Sequence, residues 1–63
     1  MSGTRQHTVT VDGEETTVNV AKTGKTTWRA WGVFRGKSIE ETGGTESGAL
    51  SGWKRMADYL TND

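Results

Sequence analysis

The chain has 63 residues, with eight Lys and Arg against eight Asp and Glu and no Cys. One domain at most fits that length, and because a domain this small buries only about 60% of its unfolded surface, its stability is expected to be marginal. Zero net charge argues against a broad basic surface for phosphate backbones. The lack of Cys removes disulfides, thiolate chemistry and zinc–cysteine sites, and suits a reducing, cytoplasmic setting.

Taken in order, residues 1–6 are polar and unpatterned and read as a flexible tail. From His7 the sequence alternates, with His7, Val9 and Val11 on one face of a strand and Thr8 and Thr10 on the other. Asp12-Gly13 tolerates the positive φ of a type I′ turn and is a strong hairpin signal. With this pair as the loop, Val11 faces Glu14, Val9 faces Thr16 and His7 faces Val18, so the valines fall on one side. The second strand continues through Val20 to about Ala21, rich in Thr and Val as a half-buried pleated surface prefers. Near Thr23-Gly24-Lys25 the chain turns back. A loop of Gly24-Lys25 alone would set Val20 against Arg29 on one face. An odd loop over residues 23–25 sets Val20 against Trp28 and Val18 against Ala30, and is the expected register.

Residues 26–36 form the longest strand-like run and carry two of the three Trp. Trp28, Ala30, Gly32 and Phe34 share one face, and Arg29, Trp31, Val33 and Arg35 share the other. Arg35-Gly36-Lys37 makes the third turn, and either two-residue loop within it leaves Ile39 on the core face with Gly32 and Phe34. Residues 38–42 form a short fourth strand, where Lys37, Glu40 and Glu41 are charges that discourage further pairing at an exposed edge. Gly43-Gly44 breaks the sheet and Thr45 is an N-cap. Ala49, Leu50, Trp53, Met56, Ala57 and Leu60 then recur at helical spacing. Glu46 near the start and Lys54 and Arg55 beyond the middle suit the helix dipole. Gly48 and Gly52 lie beside the stripe.

The expected fold class is α+β: a four-stranded antiparallel meander with one C-terminal amphipathic helix packed on one face, in the order β-β-β-β-α. A single domain covers residues 7–60, with flexible tails at 1–6 and 61–63. Trp28 and Trp53 are expected to meet near its centre. No apolar run approaches the length of a membrane span or of a signal-peptide core.

No motif names a reaction. Gly24-Lys25-Thr26 and Gly36-Lys37-Ser38 imitate the end of a phosphate-binding loop, but that motif needs an earlier Gly where Asn19 and Trp31 stand, and a helix directly after it. His7, the single histidine, is expected to be a strand-end side chain with no carboxylate pair aimed at it. Asp12, Glu14 and Glu15 lack the spacing of a calcium loop and read as a solvated hairpin tip. Abundant Ser and Thr have no base placed to activate them. The expectation is a non-enzymatic binding domain without cofactor or metal.

The ligand-contact candidates are Arg29, Trp31, Val33 and Arg35 on the outer sheet face, with Thr17 and Asn19 beside them and Trp31 expected opposite Thr17. A Trp between two Arg on an open sheet can stack a base while the guanidiniums hold phosphates. It can equally anchor a protein contact or self-association. A third reading is a solvated, Thr-rich face whose Trp is shielded by Arg stems.

The skeleton Trp28-x-Ala30, Gly36-Lys37, Gly43-x-Thr45-x-x-x-Ala49-Leu50-x-x-Trp53 resembles three families over little more than the second half of the chain. One is the AP2-like, arm-type DNA-binding domain of phage integrases, which implies a sheet reading the major groove through residues such as Arg29, Trp31 and Arg35. The double-stranded RNA-binding fold is similar over its last strands and helix, but its basic pair after the cap is replaced here by Glu46-Ser47. HicB-like antitoxins resemble the Gly-x-Thr-x-x-x-Ala-Leu step, which implies dimerisation and a small ribonuclease toxin as partner. The functional expectation is nucleic-acid contact through the outer sheet face; the alternative is a protein-interaction module, either a homodimer or an antitoxin-type partner binder.

Overall fold

The computed structural model describes residues 3–61. Its elements are β1 (Arg5–Val11), β2 (Glu14–Lys22), β3 (Trp28–Phe34), β4 (Lys37–Gly43) and α1 (Glu46–Thr61). The strands form one antiparallel sheet in the order β1-β2-β3-β4. This is the expected α+β meander with its C-terminal helix.

Both tight hairpins close on residues in the left-handed region: Asp12 and Gly13 at φ 53° and 77°, Arg35 and Gly36 at φ 53° and 79°. Those values belong to type I′ turns, whose twist matches that of the flanking strands. They fix Val11 opposite Glu14 and Phe34 opposite Lys37. The β1–β2 register is the expected one throughout, with Val9 facing Thr16 and His7 facing Val18.

The middle connection is longer than expected. It spans residues 23–27, and the amides of Thr23 and Gly24 both donate to the Thr27 carbonyl, at 2.9 and 3.3 Å. Val20 therefore faces Ala30 rather than Trp28, and Trp31 faces Asn19 rather than Thr17. Because the loop is still odd, the side chains of β2 and β3 keep their faces. The correction is a slide of two residues along the sheet, caused by Thr26 and Thr27 folding into the loop instead of extending β3.

Strand ends also run past their expected limits. Arg5 and Gln6 belong to β1, opposite Val20 and Asn19, because β2 is long enough to pair with them. The tail expected over residues 1–6 is thus ordered strand from Arg5, and of the tail expected over residues 61–63, Thr61 instead ends the helix; Met1, Ser2, Asn62 and Asp63 lie outside the described residues. β4 gains Lys37 and Gly43 at its ends.

α1 covers one face of the sheet and packs chiefly on β4 and β3. Thr45 caps it: its Oγ1 accepts from the Gly48 amide at 2.9 Å, and its carbonyl accepts from the Ala49 amide at 3.0 Å. The core between helix and sheet consists of Val11, Val18, Val20, Ala30, Phe34, Ile39, Ala49, Trp53 and Ala57, with Val9, Trp28, Leu50 and Leu60 at its margin. Trp53 is fully buried at its centre. Its ring meets Phe34 edge-on at 6.5 Å and 80°, and its Nε1 donates to the Ile39 carbonyl at 2.9 Å. Trp28, half-buried opposite Lys22 and Gly43 at the sheet end, does not take the central place expected of it.

Two glycines allow this approach of helix to sheet. A Cβ on Gly43 would stand 2.6 Å from the Ala49 backbone nitrogen. One on Gly32 would stand 3.0 Å from the Thr17 carbonyl oxygen and 3.2 Å from Trp53 Cζ2. The indole lies on bare backbone at Gly32. Met56, expected in the core stripe, instead turns outward beside Tyr59, and the two are 37% and 74% exposed.

Candidate functional site

The outer face of the sheet carries no helix. Along β3 it presents Arg29, Trp31 and Val33, flanked by Thr17, Asn19 and Ala21 of β2 and by Ser38, Glu40 and Thr42 of β4. Val33 is 61% exposed and Trp31 half-buried. A shallow concavity of about 270 Å³ is lined by Arg29, Trp31, Ser38 and Glu40.

The structure brings five of the six candidates, Arg29, Trp31, Val33, Asn19 and Thr17, onto one face. Thr17, which pairs with Thr8 on its other side, lies beside the Gly32–Val33 end of β3, where its carbonyl oxygen stands 3.0 Å from the position a Gly32 Cβ would take. Arg35 leaves the face altogether. Its guanidinium carbon sits 4.9 Å from the centroid of the Phe34 ring, on the helix side of the sheet, and pairs with Glu14 at 3.1 Å and Asp12 at 3.4 Å. The hairpin tip expected to be merely solvated is therefore tied to the neighbouring hairpin by this arginine. The type I′ turn causes the reorientation, because a residue with positive φ no longer continues the alternation of the strand.

Arg29 is also engaged. Its guanidinium forms an ion pair with Glu40 on the adjacent strand. Glu40 is directly opposite Trp31, so the pair is diagonal across the sheet beside the indole. Sequence pattern assigns Glu40 only to edge protection. A signal for the pair exists, since a loop at Arg35-Gly36 places Glu40 beside Trp31 and within reach of Arg29. On the other flank, Gln6 Nε2 donates to Asn19 Oδ1 at 3.2 Å. The β2–β3 ladder stops after Asn19, and Thr16 Oγ1 donates to the Val33 carbonyl at 3.4 Å.

On the helix side His7 does have a carboxylate aimed at it. Its Nε2 lies 2.8 Å from Glu46 Oε2, while Arg5 Nη1 donates to Glu46 Oε1 at 3.4 Å. These contacts fasten the first turn of α1 to β1. The register of β1 on β2 could be read from the turn, but the position of the helix over His7 could not.

Among the described residues no group of three or more His, Cys, Asp or Glu is placed to hold a metal ion, and no buried side-chain nitrogen or oxygen lacks a hydrogen-bond partner. Gly24-Lys25-Thr26 and Gly36-Lys37-Ser38 both lie at hairpin connections and lead into strands. Among the described residues no helix is long and apolar enough to cross a membrane. No family model, curated protein or solved structure matches the chain.

Proposed function

We propose that the chain is a small, non-enzymatic protein-binding module whose contact surface is the outer sheet face around Trp31 and Val33. The observation that carries this reading is the fate of the two arginines. Phosphate recognition draws on cations that can exchange counterions for phosphates, yet Arg29 is paired with Glu40 on the same face and Arg35 is drawn to Asp12 and Glu14 on the other. What remains around Trp31 is an exposed Val33 and short polar side chains, with the neighbouring cation Arg29 already matched by Glu40. Protein interfaces favour that composition: an aromatic anchor, few uncompensated charges at the centre, and a polar rim. A cytoplasmic setting belongs to the same proposal and is supported by the absence of Cys.

Two experiments on the same protein test it. Isotope-labelled protein is titrated at low salt with short DNA duplexes, RNA duplexes and single strands while the amide resonances are followed. The amides of Arg29, Trp31 and Val33 are expected to stay in place, and salt-sensitive shifts confined to them would replace this reading with nucleic-acid binding. A photo-crosslinking residue at position 33 in cells is then expected to give a discrete protein adduct that Trp31→Ala abolishes. The same residue at position 54, on the helix, should not give that adduct.

A further inference from the structure

The two edges of the sheet are unequal. β4 carries Lys37, Glu40 and Glu41, and its end is held against the helix at Gly43. β1 carries an unbroken alternation, His7-Thr8-Val9-Thr10-Val11, with no Lys and no bulge in its pairing with β2. Natural sheets blunt exposed edges with charge, bulges or short length, because an open edge is a template for another strand. Over His7 to Val11, β1 uses none of these devices.

The direction of its main-chain groups follows from the turn. Val11 and Glu14 close a two-residue hairpin and exchange both main-chain hydrogen bonds. By alternation, Arg5, His7, Val9 and Val11 point their N–H and C=O groups into β2. Gln6, Thr8 and Thr10 point theirs outward, along an edge that no element of this chain covers among the described residues.

We propose that this edge is the interface of a symmetric homodimer, in which two copies pair their β1 strands antiparallel, Thr8 opposite Thr8, and join their sheets into one. Symmetry restricts the register. A two-fold axis relating antiparallel edge strands is perpendicular to the sheet, so inward-facing residues must oppose inward-facing residues, and only even sums of paired positions are allowed. Centring on Thr8 uses the whole strand: Gln6 exchanges bonds with Thr10 of the second copy, Val9 faces His7, and Val11 faces Arg5.

The ends of the strand are complementary in charge. Arg5, which meets Glu46 within the chain but keeps its side chain 69% exposed, stands at one end, and Asp12, which meets Arg35 but stays 55% exposed, lies just beyond the other. Antiparallel pairing brings Arg5 of each copy beside Asp12 of the other. Both helices lie on the same side of the joined sheet and flank the seam, where Val9, left at the margin of the core, gains a cover. A second copy is favoured over an unrelated strand because both ends of the match are written in this one sequence. The interface is distinct from the outer face around Trp31, and it leaves that face continuous across the dimer.

Amide hydrogen exchange and sedimentation, each as a function of protein concentration up to the millimolar range, test the proposal. The amides of Gln6, Thr8 and Thr10 are expected to gain at least about tenfold protection as concentration rises, while Val9, bonded within the chain, stays protected throughout. Thr8→Pro removes an N–H that the β1–β2 ladder does not use, so the fold is kept. Loss of the central pair should raise the dimer dissociation constant at least about tenfold. Thr8→Lys places two ammonium groups at the axis and should do the same, and it decides the matter if the proline variant does not fold. Trp31→Ala should leave dimerisation unchanged, which separates this test from that of the outer face. A protein that stays monomeric throughout, exchange at Gln6, Thr8 and Thr10 that ignores concentration, or a dimer that survives the Thr8 variants but is lost on Trp31→Ala would each overturn the proposal.

Discussion

The two faces of the sheet each carry a tryptophan in its central region, and the two are held in opposite ways. Trp53 comes from the helix, is fully buried, lies on Gly32, meets Phe34 edge-on and gives its indole N–H to a backbone carbonyl. Trp31 projects from β3 itself, half-exposed, between Asn19 and Glu40. The first has every polar atom satisfied and every face covered, as a core residue requires. The second is only partly buried, on a face of the sheet that no helix covers. An indole that a small domain spends on its open face, with so few large apolar residues elsewhere, points to a surface that is used.

The contrast is sharpest in stability. Trp53→Ala should cost about 3–5 kcal/mol, against a total of about 3–9 kcal/mol for a chain of this length, and urea denaturation followed by circular dichroism should find it largely unfolded. Gly43→Ala probes the same packing from the other side. Its new Cβ would collide with the backbone of Ala49 rather than with a flexible side chain, and a loss of about 1–3 kcal/mol is expected. Thr45→Ala removes the acceptor of the Gly48 amide and should cost about 1 kcal/mol in the same assay. Trp31→Ala should cost less than about 1 kcal/mol, the range of a cross-strand pair, while abolishing the crosslinked adduct at position 33. A large stability loss there would make Trp31 a structural residue and dissolve the distinction between the faces. Arg29→Ala is the smallest expected effect, about 0–1 kcal/mol for a half-exposed ion pair. If it weakens partner capture as much as Trp31→Ala does, the charged pair belongs to the contact surface.

The same contrast between local and distant contacts sets how far the sequence could be read. Hairpin chemistry at Asp12-Gly13 fixed one register, since a type I′ turn leaves no freedom in what stands opposite what; at Arg35-Gly36-Lys37 either two-residue loop keeps Ile39 on the core face, and the structure takes Arg35-Gly36. Thr45 and the recurrence of Ala49, Trp53 and Ala57 marked the helix and its buried line. The connection over residues 23–27 was less legible. Loops of three and five residues preserve the same faces, so hydrophobic alternation is blind to the choice between them. Met56 was misplaced for a related reason: it lies at the edge of the apolar stripe, and helical spacing alone does not say how wide a stripe the sheet will cover. In the candidate site, the placement of Arg29, Trp31 and Val33 on one face was readable from alternation, and the Arg29–Glu40 pair follows once the loop is set at Arg35-Gly36, whereas the pairing of Arg35 with Asp12 and Glu14 was not readable.

What the sequence determined by itself is the local skeleton: the four strands and one helix, the turn at Asp12-Gly13, which side chains within a strand share a face, and where the helix starts. Those follow from a period of two, a period near 3.6, and residues that tolerate positive φ, none of which needs a distant neighbour. Only the tertiary structure decided that Trp53 lies on Gly32 with Phe34 at its edge, that Glu46 reaches His7 and Arg5, and that Arg35 abandons the outer face for Asp12 and Glu14. Each of these joins elements far apart in the chain. Their pairing depends on how the sheet and helix stack, and no local pattern carries that information.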